Sequence, residues 1–296
     1  MQPIQLIQGK TLLEEIYSTK INGKSVELSE LLKNFINFMG QSTWNNFITS
    51  ELLSTEDFRY AVFGRIEIAA ATYYHSLRQA LGVFPQIIQD SCEELGYNFD
   101  FAFGLAGLEK EIQLRVAFID RYFYNIDHFI QVMNRQFSFA NPGNTKRKQQ
   151  VFGEMLAHFD LNDKYFTPQS IFELISNVED EGNSEFSELM RDTSDRKIKY
   201  TDLYEFLANI RNSLHNNGFS NKTMNNLTLG QLKYEVKKDE LLNCLSLSHL
   251  LALLFPLTKI LVEVVAKSVV IHPTLLTDPF REEVKAFVLE MKSKST

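Results

Sequence analysis

The sequence predicts an all-α protein, a helical bundle carrying one or two small β-hairpins. Apolar residues recur at alternating three- and four-residue steps over long stretches, the period of a helix packed along one face. Glycine and proline are scarce, 13 and 7 in 296 residues, too few for a protein built from many tight turns. With 44% hydrophobic residues, including 24 Phe and 11 Tyr, the chain has ample material for packed helices and lies far from disordered composition.

The elements follow in order. Residues 16–21 and 24–28 read as strands of a hairpin, because Asn22-Gly23 between alternating segments is a strong turn signal. Ser29-Glu30 opens a helix to about Met39. A second helix runs from Thr55 to Leu81, with Pro85 beyond its end. From Gly107 to Phe137, the positions Val116, Ile119, Phe123, Ile126, Ile130, Met133 and Phe137 form the seam of a long central helix, which Asn141-Pro142-Gly143-Asn144 ends. Helices through His158 and over Ser170–Ile175 come next. The acid-rich stretch 177–196, short of large apolar residues, reads as a mobile loop. Thr201-Asp202 opens a helix over 201–217, with Asp202 and Glu205 at capping-box spacing and Gly218 placed to close it in the left-handed conformation. Leu227–Leu229 and Leu232–Val236 read as a second hairpin across Gly230-Gln231. A long helix over Lys238–Val270 and another over Asp278–Lys292 complete the chain. Residues 1–104 form an N-terminal, mostly helical region of unassigned role, and 105–296 a second bundle.

Bulk properties narrow the function. A net charge of −7 excludes a surface that is basic overall, so contact with nucleic acid needs a local positive patch. Cys92 and Cys244 sit in apolar, helical contexts and read as reduced thiols. The N-terminus lacks the charged start and apolar run of a secretion signal, so the chain reads as cytoplasmic. His249–Ile271 is long enough to cross a bilayer. Lys259, Glu263 and Lys267 nevertheless draw one polar stripe along it, and such charges are costly in lipid. It reads as a core helix kinked at Pro256.

The stretch that looks like chemistry is Arg211-Asn212-Ser213-Leu214-His215-Asn216-Asn217-Gly218. With Leu203 at zero, Leu203, Phe206, Leu207, Ile210 and Leu214 share one arc, while Arg211, Tyr204 and His215 fall at about 80°, 100° and 120° on its shoulder. Arg211 and His215, four apart, are neighbours on the helix surface. A permanent cation beside a group that titrates near neutrality suits work on a phosphodiester.

This segment resembles the signature of the HEPN superfamily (higher eukaryotes and prokaryotes nucleotide-binding). Its members are small helical bundles, many of them metal-independent ribonucleases. Arg211 matches the family's arginine, Asn212 the polar residue that follows it and His215 the histidine near the helix end. The three residues between arginine and histidine are fewer than the family usually has. The resemblance covers about Gly107–Ile271. It implies a homodimer in which two copies of the helix build a composite site, and an endoribonuclease that forms a 2′,3′-cyclic phosphate without a cofactor or metal. In that scheme His215 moves the proton, Arg211 stabilises phosphorane charge, and Asn212 orients the phosphate or the imidazole. By family analogy the setting is prokaryotic toxin or antiphage defence, with RNA as substrate and a protein regulator or antitoxin as further partner.

For RNA contact the sequence offers Arg196, Lys197 and Lys199, just before the motif helix, and Tyr204 on its shoulder. Two further basic clusters, Lys146-Arg147-Lys148 and Lys233 with Lys237-Lys238, read first as solvated faces. Asp120 and Asp127, seven apart on the long helix, share a face and could orient the arginine, although they read first as partners in a structural ion pair. Two competing readings remain: a non-catalytic dimerisation or ligand-sensing module of the same superfamily, and an unrelated helical interaction protein. In the latter, Arg211 and His215 merely complement the C-terminal dipole of a helix.

Overall fold

A computed structural model describes residues 3–21, 23–96, 98–140, 148–177, 185–191, 196–216, 218–242 and 244–278. Outside them fall Asn22 of the first turn, the Asn141–Asn144 stop, Lys146 and Arg147, most of the acid-rich stretch and nearly all of the expected last helix.

The chain is an all-α bundle with small antiparallel strand pairs. Helix α1 (Pro3–Ile16) leads into strands β1 (Ser18–Ile21) and β2 (Lys24–Glu27), paired Ser18↔Glu27 to Ile21↔Lys24. Gly23 at φ +81° supplies the positive dihedral of that turn. Helix α2 (Leu28–Met39) continues without a break into a nine-residue π-helix, Gly40–Ile48, which the sequence reading missed. Helix α3 (Phe58–Leu95) packs on α2 and on α4 (Phe99–Phe137), and α1 lies across α3 and α4. Asp57 caps α3 by accepting from the Arg59 amide at 2.8 Å. Contrary to expectation, α3 does not stop before Pro85 but runs ten residues past it, ending at the left-handed Gly96.

Next come α5 (Lys148–His158), β3 (Tyr165–Phe166), α6 (Pro168–Ser176), α7 (Glu185–Met190), β4 (Ile198–Lys199) and α8 (Tyr200–His215). Strand β3 pairs with β4 across more than thirty residues of chain, a union that local sequence could not announce. That union sets the start of α8. Lys199 is the residue before the first turn, and no side chain caps it. The expected capping box of Asp202 and Glu205 therefore does not form; Asp202 instead lies inside the first turn, where its charge complements the helix dipole. Strands β5 (Leu227–Leu229) and β6 (Leu232–Tyr234) form the expected hairpin. A Cβ on Gly230 would meet the Leu189 carbonyl oxygen at 2.0 Å, so the turn sits directly on α7.

Helix α9 (Leu247–Ile271) begins nine residues later than expected, because Ser246 caps it and Leu241 bridges to Phe219. It runs through Pro256 as one helix. By length and composition it could cross a membrane, but 72% of its most apolar window is buried against α2, α6, α8 and the π-helix. The boundary expected near residue 104 falls inside α4, and a single apolar core extends from Leu13 to Leu276. Both cysteines are buried and unbridged. Enclosure pushes the Cys244 thiol up to about 11, so it stays protonated and inert at neutral pH.

Candidate functional site

The motif helix α8 lies over α4 and α5, with Leu203, Phe206, Leu207 and Ile210 buried beneath it. That apolar face fixes the rotation of the helix. It leaves Arg211 and His215 on the shoulder that overhangs α4, as their spacing predicts. Their side chains are 38% and 48% exposed, neither packed away nor wholly in solvent.

One oxygen joins them. Asp120 Oδ1, projecting from α4, accepts from Arg211 Nε at 3.1 Å and meets His215 Nε2 at 2.7 Å. An ionised carboxylate only accepts, so the imidazole nitrogen facing it carries a hydrogen, and in the neutral ring the lone pair is left on Nδ1. Arg211 Nη1 also donates to Asn212 Oδ1 at 3.3 Å. Asn212 thereby braces the guanidinium from the outside of the helix. Gly218, at φ +86°, ends the segment as expected, donating its N–H to the Ser213 carbonyl at 2.7 Å.

Two turns back along the same groove lies a second cluster. Tyr204 donates to Asp127 Oδ1 at 2.8 Å, and Lys148 pairs with the other oxygen. Asp127 follows Asp120 by seven residues and Tyr204 precedes Arg211 by seven, so the two clusters are successive rungs of one interface. The Tyr204 ring is stacked on Phe152 at 4.8 Å and is 1% exposed. Burial first, and Asp127 second, push its hydroxyl far above the ordinary phenol range. This corrects the expectation for Tyr204: its ring is enclosed and offers no face on which a base could stack. Tyr124, 60% accessible and one helical turn from Asp120 on α4, is an exposed aromatic whose ring lies parallel to that of His128 with centres 6.2 Å apart. Its position four residues beyond Asp120 was the signal that could have found it.

The basic cluster also lies elsewhere. Arg196 and Lys197 are exposed and line a cleft of about 290 Å³ with Asp202, Glu205 and Met224. Lys199 stands at the head of α8, twelve residues before Arg211, or about 18 Å along the axis. The fold therefore brings Arg211, Asn212 and His215 together with Asp120, and sets Arg196, Lys197 and Lys199 at the opposite end of the helix. Arg121, exposed, is the chain neighbour of Asp120.

Comparison of the chain with models of protein families, with curated proteins and with solved structures gives no match.

Proposed function

We propose that this protein is a metal-independent endoribonuclease of the HEPN type, working as a homodimer in which two α8 ends face one another. The observation that supports the reading is the Arg211–Asp120–His215 cluster, half open to solvent, with one carboxylate oxygen bound to both the guanidinium and the imidazole.

In this scheme the ribose 2′-hydroxyl gives its proton to His215 Nδ1 while its oxygen attacks the adjacent phosphorus. The bond from phosphorus to the 5′ oxygen breaks, and that oxygen takes a proton from the imidazolium of the second protomer or from water. Asp120 is the positioning residue: it fixes the tautomer and stabilises the imidazolium as it forms. Arg211 spends Nε on Asp120 and turns the far side of its guanidinium to the phosphorane oxygens. The products are a 2′,3′-cyclic phosphate and a 5′-hydroxyl.

The test is RNA incubated in EDTA with the wild type, His215→Ala and Arg211→Ala, beside a measurement of mass in solution. Cleavage that resists the chelator and falls about 10²- to 10⁴-fold in His215→Ala is expected, from a particle of twice the chain mass. A folded dimer with no cleavage on any RNA would replace the enzyme with the non-catalytic dimerisation module, and a monomer would remove both readings.

A further inference from the structure

The π-helix carries a second site, remote in sequence from the Arg–His cluster. Its residues and the end of α2 form two parallel rows: Ile36, Gly40 and Trp44 in one, Asn37, Gln41 and Asn45 in the other. Together with Glu67 of α3 they line an open surface hollow of about 390 Å³, of the size in which small ligands are held. One row is apolar, the other is made of side-chain amides.

Three observations say that this hollow is not a packing accident. Gly40 lies inside continuous helix at φ −57°, ψ −48°, a conformation open to any residue, and a Cβ there would have nothing within 4 Å. Glycine at such a place costs about 0.5–1 kcal/mol relative to alanine, and neither the backbone nor a neighbour requires it. It leaves a floor. Second, Trp44, the chain's one tryptophan, is 48% exposed instead of buried, and Tyr60 holds it edge-on with ring centres 6.0 Å apart. Third, the amides of Asn37, Gln41 and Asn45 line the same hollow and make no hydrogen bond among the described residues, which leaves their donors and acceptors open to a ligand. Glu67 stands beside them with its carboxyl raised above the ordinary range by desolvation. Helices of the π type are rare and recur at functional sites.

The lining selects its ligand. It contains no lysine or arginine, so a phosphate would meet Glu67 with nothing to neutralise it. A sugar can lay a C–H face on Trp44, but its hydroxyls are spread around the rim and present no planar donor–acceptor edge for the amide row to pair with. A purine base fits both walls, since its faces are apolar and its polar groups lie on the edge. Side-chain amides pair in bidentate fashion with the N6 and N7 edge of adenine, whereas guanine is read by arginine or lysine. We infer that the cavity between the π-helix and α3 binds the adenine base of an uncharged nucleoside, with the base against Trp44 and its edge on the amide row.

The lone tryptophan makes the test direct: titrate the full chain with adenosine and follow Trp44 emission. A saturable change is expected, about tenfold weaker with guanosine and cytidine, weaker with adenosine monophosphate, and absent with methyl glucoside. Gly40→Leu fills the floor without straining the backbone, so it should abolish the response while melting no lower than the wild type. Gln41→Ala, on the exposed face, should weaken it without touching the probe. No change with adenosine, equal changes with every nucleoside, a response to the glucoside instead, or a response that survives Gly40→Leu would each overturn the assignment. None of these readouts involves RNA cleavage, so this site and the Arg–His site stand or fall separately.

Discussion

Two arginine–aspartate pairs in this molecule are made of the same groups and face opposite environments. Arg59 and Asp57 are 0% and 2% exposed. All five N–H donors of that guanidinium are placed: two on Asp57, and the rest on the carbonyls of Ser268, His272 and Thr274. Asp57 in turn accepts from the amides of Arg59 and Leu276. The pair staples the start of α3 to the segment that leaves α9. Arg211 and Asp120 are both about one-third exposed, and among the described residues only two of the five donors on Arg211 are engaged. A buried charge must be saturated or it unfolds the protein; a half-open one can keep donors in reserve. Saturation, not the presence of an ion pair, separates the clamp from the candidate site.

Removing one partner is the sharpest way to break that comparison. Arg59→Ala strands the Asp57 carboxylate and the Ser268 carbonyl in a dry interior, and should cost about 3–5 kcal/mol, read as a fall in the urea midpoint. Arg211→Ala should cost under about 1 kcal/mol, since exposed pairs contribute little. Equal losses at the two sites would make Arg211 and Asp120 a second clamp and remove the reason for assigning chemistry to them.

Asp120→Asn is next in size. An amide nitrogen in place of the carboxylate oxygen would donate to His215 Nε2 and move the ring hydrogen to Nδ1, the wrong atom for a base. Cleavage should fall about a hundredfold or more, and the pH profile should lose its dependence on the paired imidazole, while the melting temperature barely moves. A loss of stability with an unaltered profile would show Asp120 to be only a tie between α4 and α8.

Tyr204→Phe probes the closed rung beside the open one. It deletes a hydrogen bond to an ionised partner that keeps Lys148, at a cost of about 1–2 kcal/mol. RNA cleavage should persist, because the ring it leaves is the enclosed one. A selective loss of RNA binding with full stability would restore Tyr204 as a substrate contact and shift the site two turns along the groove.

What the sequence disclosed follows the range of each interaction. The hairpins at Gly23 and Gly230 and the close of α8 at Gly218 were legible because a positive dihedral leaves its mark on one residue. The juxtaposition of Arg211 and His215 was legible because four residues make one turn. Asp120 and Asp127 could be placed on one face of α4, but which of them met the arginine depended on how α8 lies across that helix. The start of α8 came within one residue, but its cap was misread because a strand pair with Tyr165 and Phe166 overrode a local capping signal. The π-helix was missed for a different reason: the apolar pattern carries the helix only to about Met39, and only the fold shows that it runs on through Gly40. Pro85 reads as a stop, yet α3 continues past it.

The smallest effect concerns a third kind of buried group, one that is neither saturated by charge nor open. His249 lies in the first turn of α9, its Nδ1 2.7 Å from the Ser246 hydroxyl and its ring edge-on to Tyr234. Desolvation lowers its proton affinity below the ordinary imidazole range. The folded chain therefore binds fewer protons at this site than the unfolded chain as pH falls, and linkage then makes stability decline with acid. The contribution is fully present above the ordinary imidazole pKa of about 6.5 and is lost as pH drops through it toward the depressed folded value. Replacing His249 by Asn removes that titration, so the curve of unfolding free energy between about pH 7 and pH 5 should be shallower in the variant, although its plateau at pH 8 lies lower. A curve parallel to wild type would mean that the imidazole reaches solvent before the helix opens, and that enclosure at the head of α9 is looser than at the Arg59 clamp near its other end.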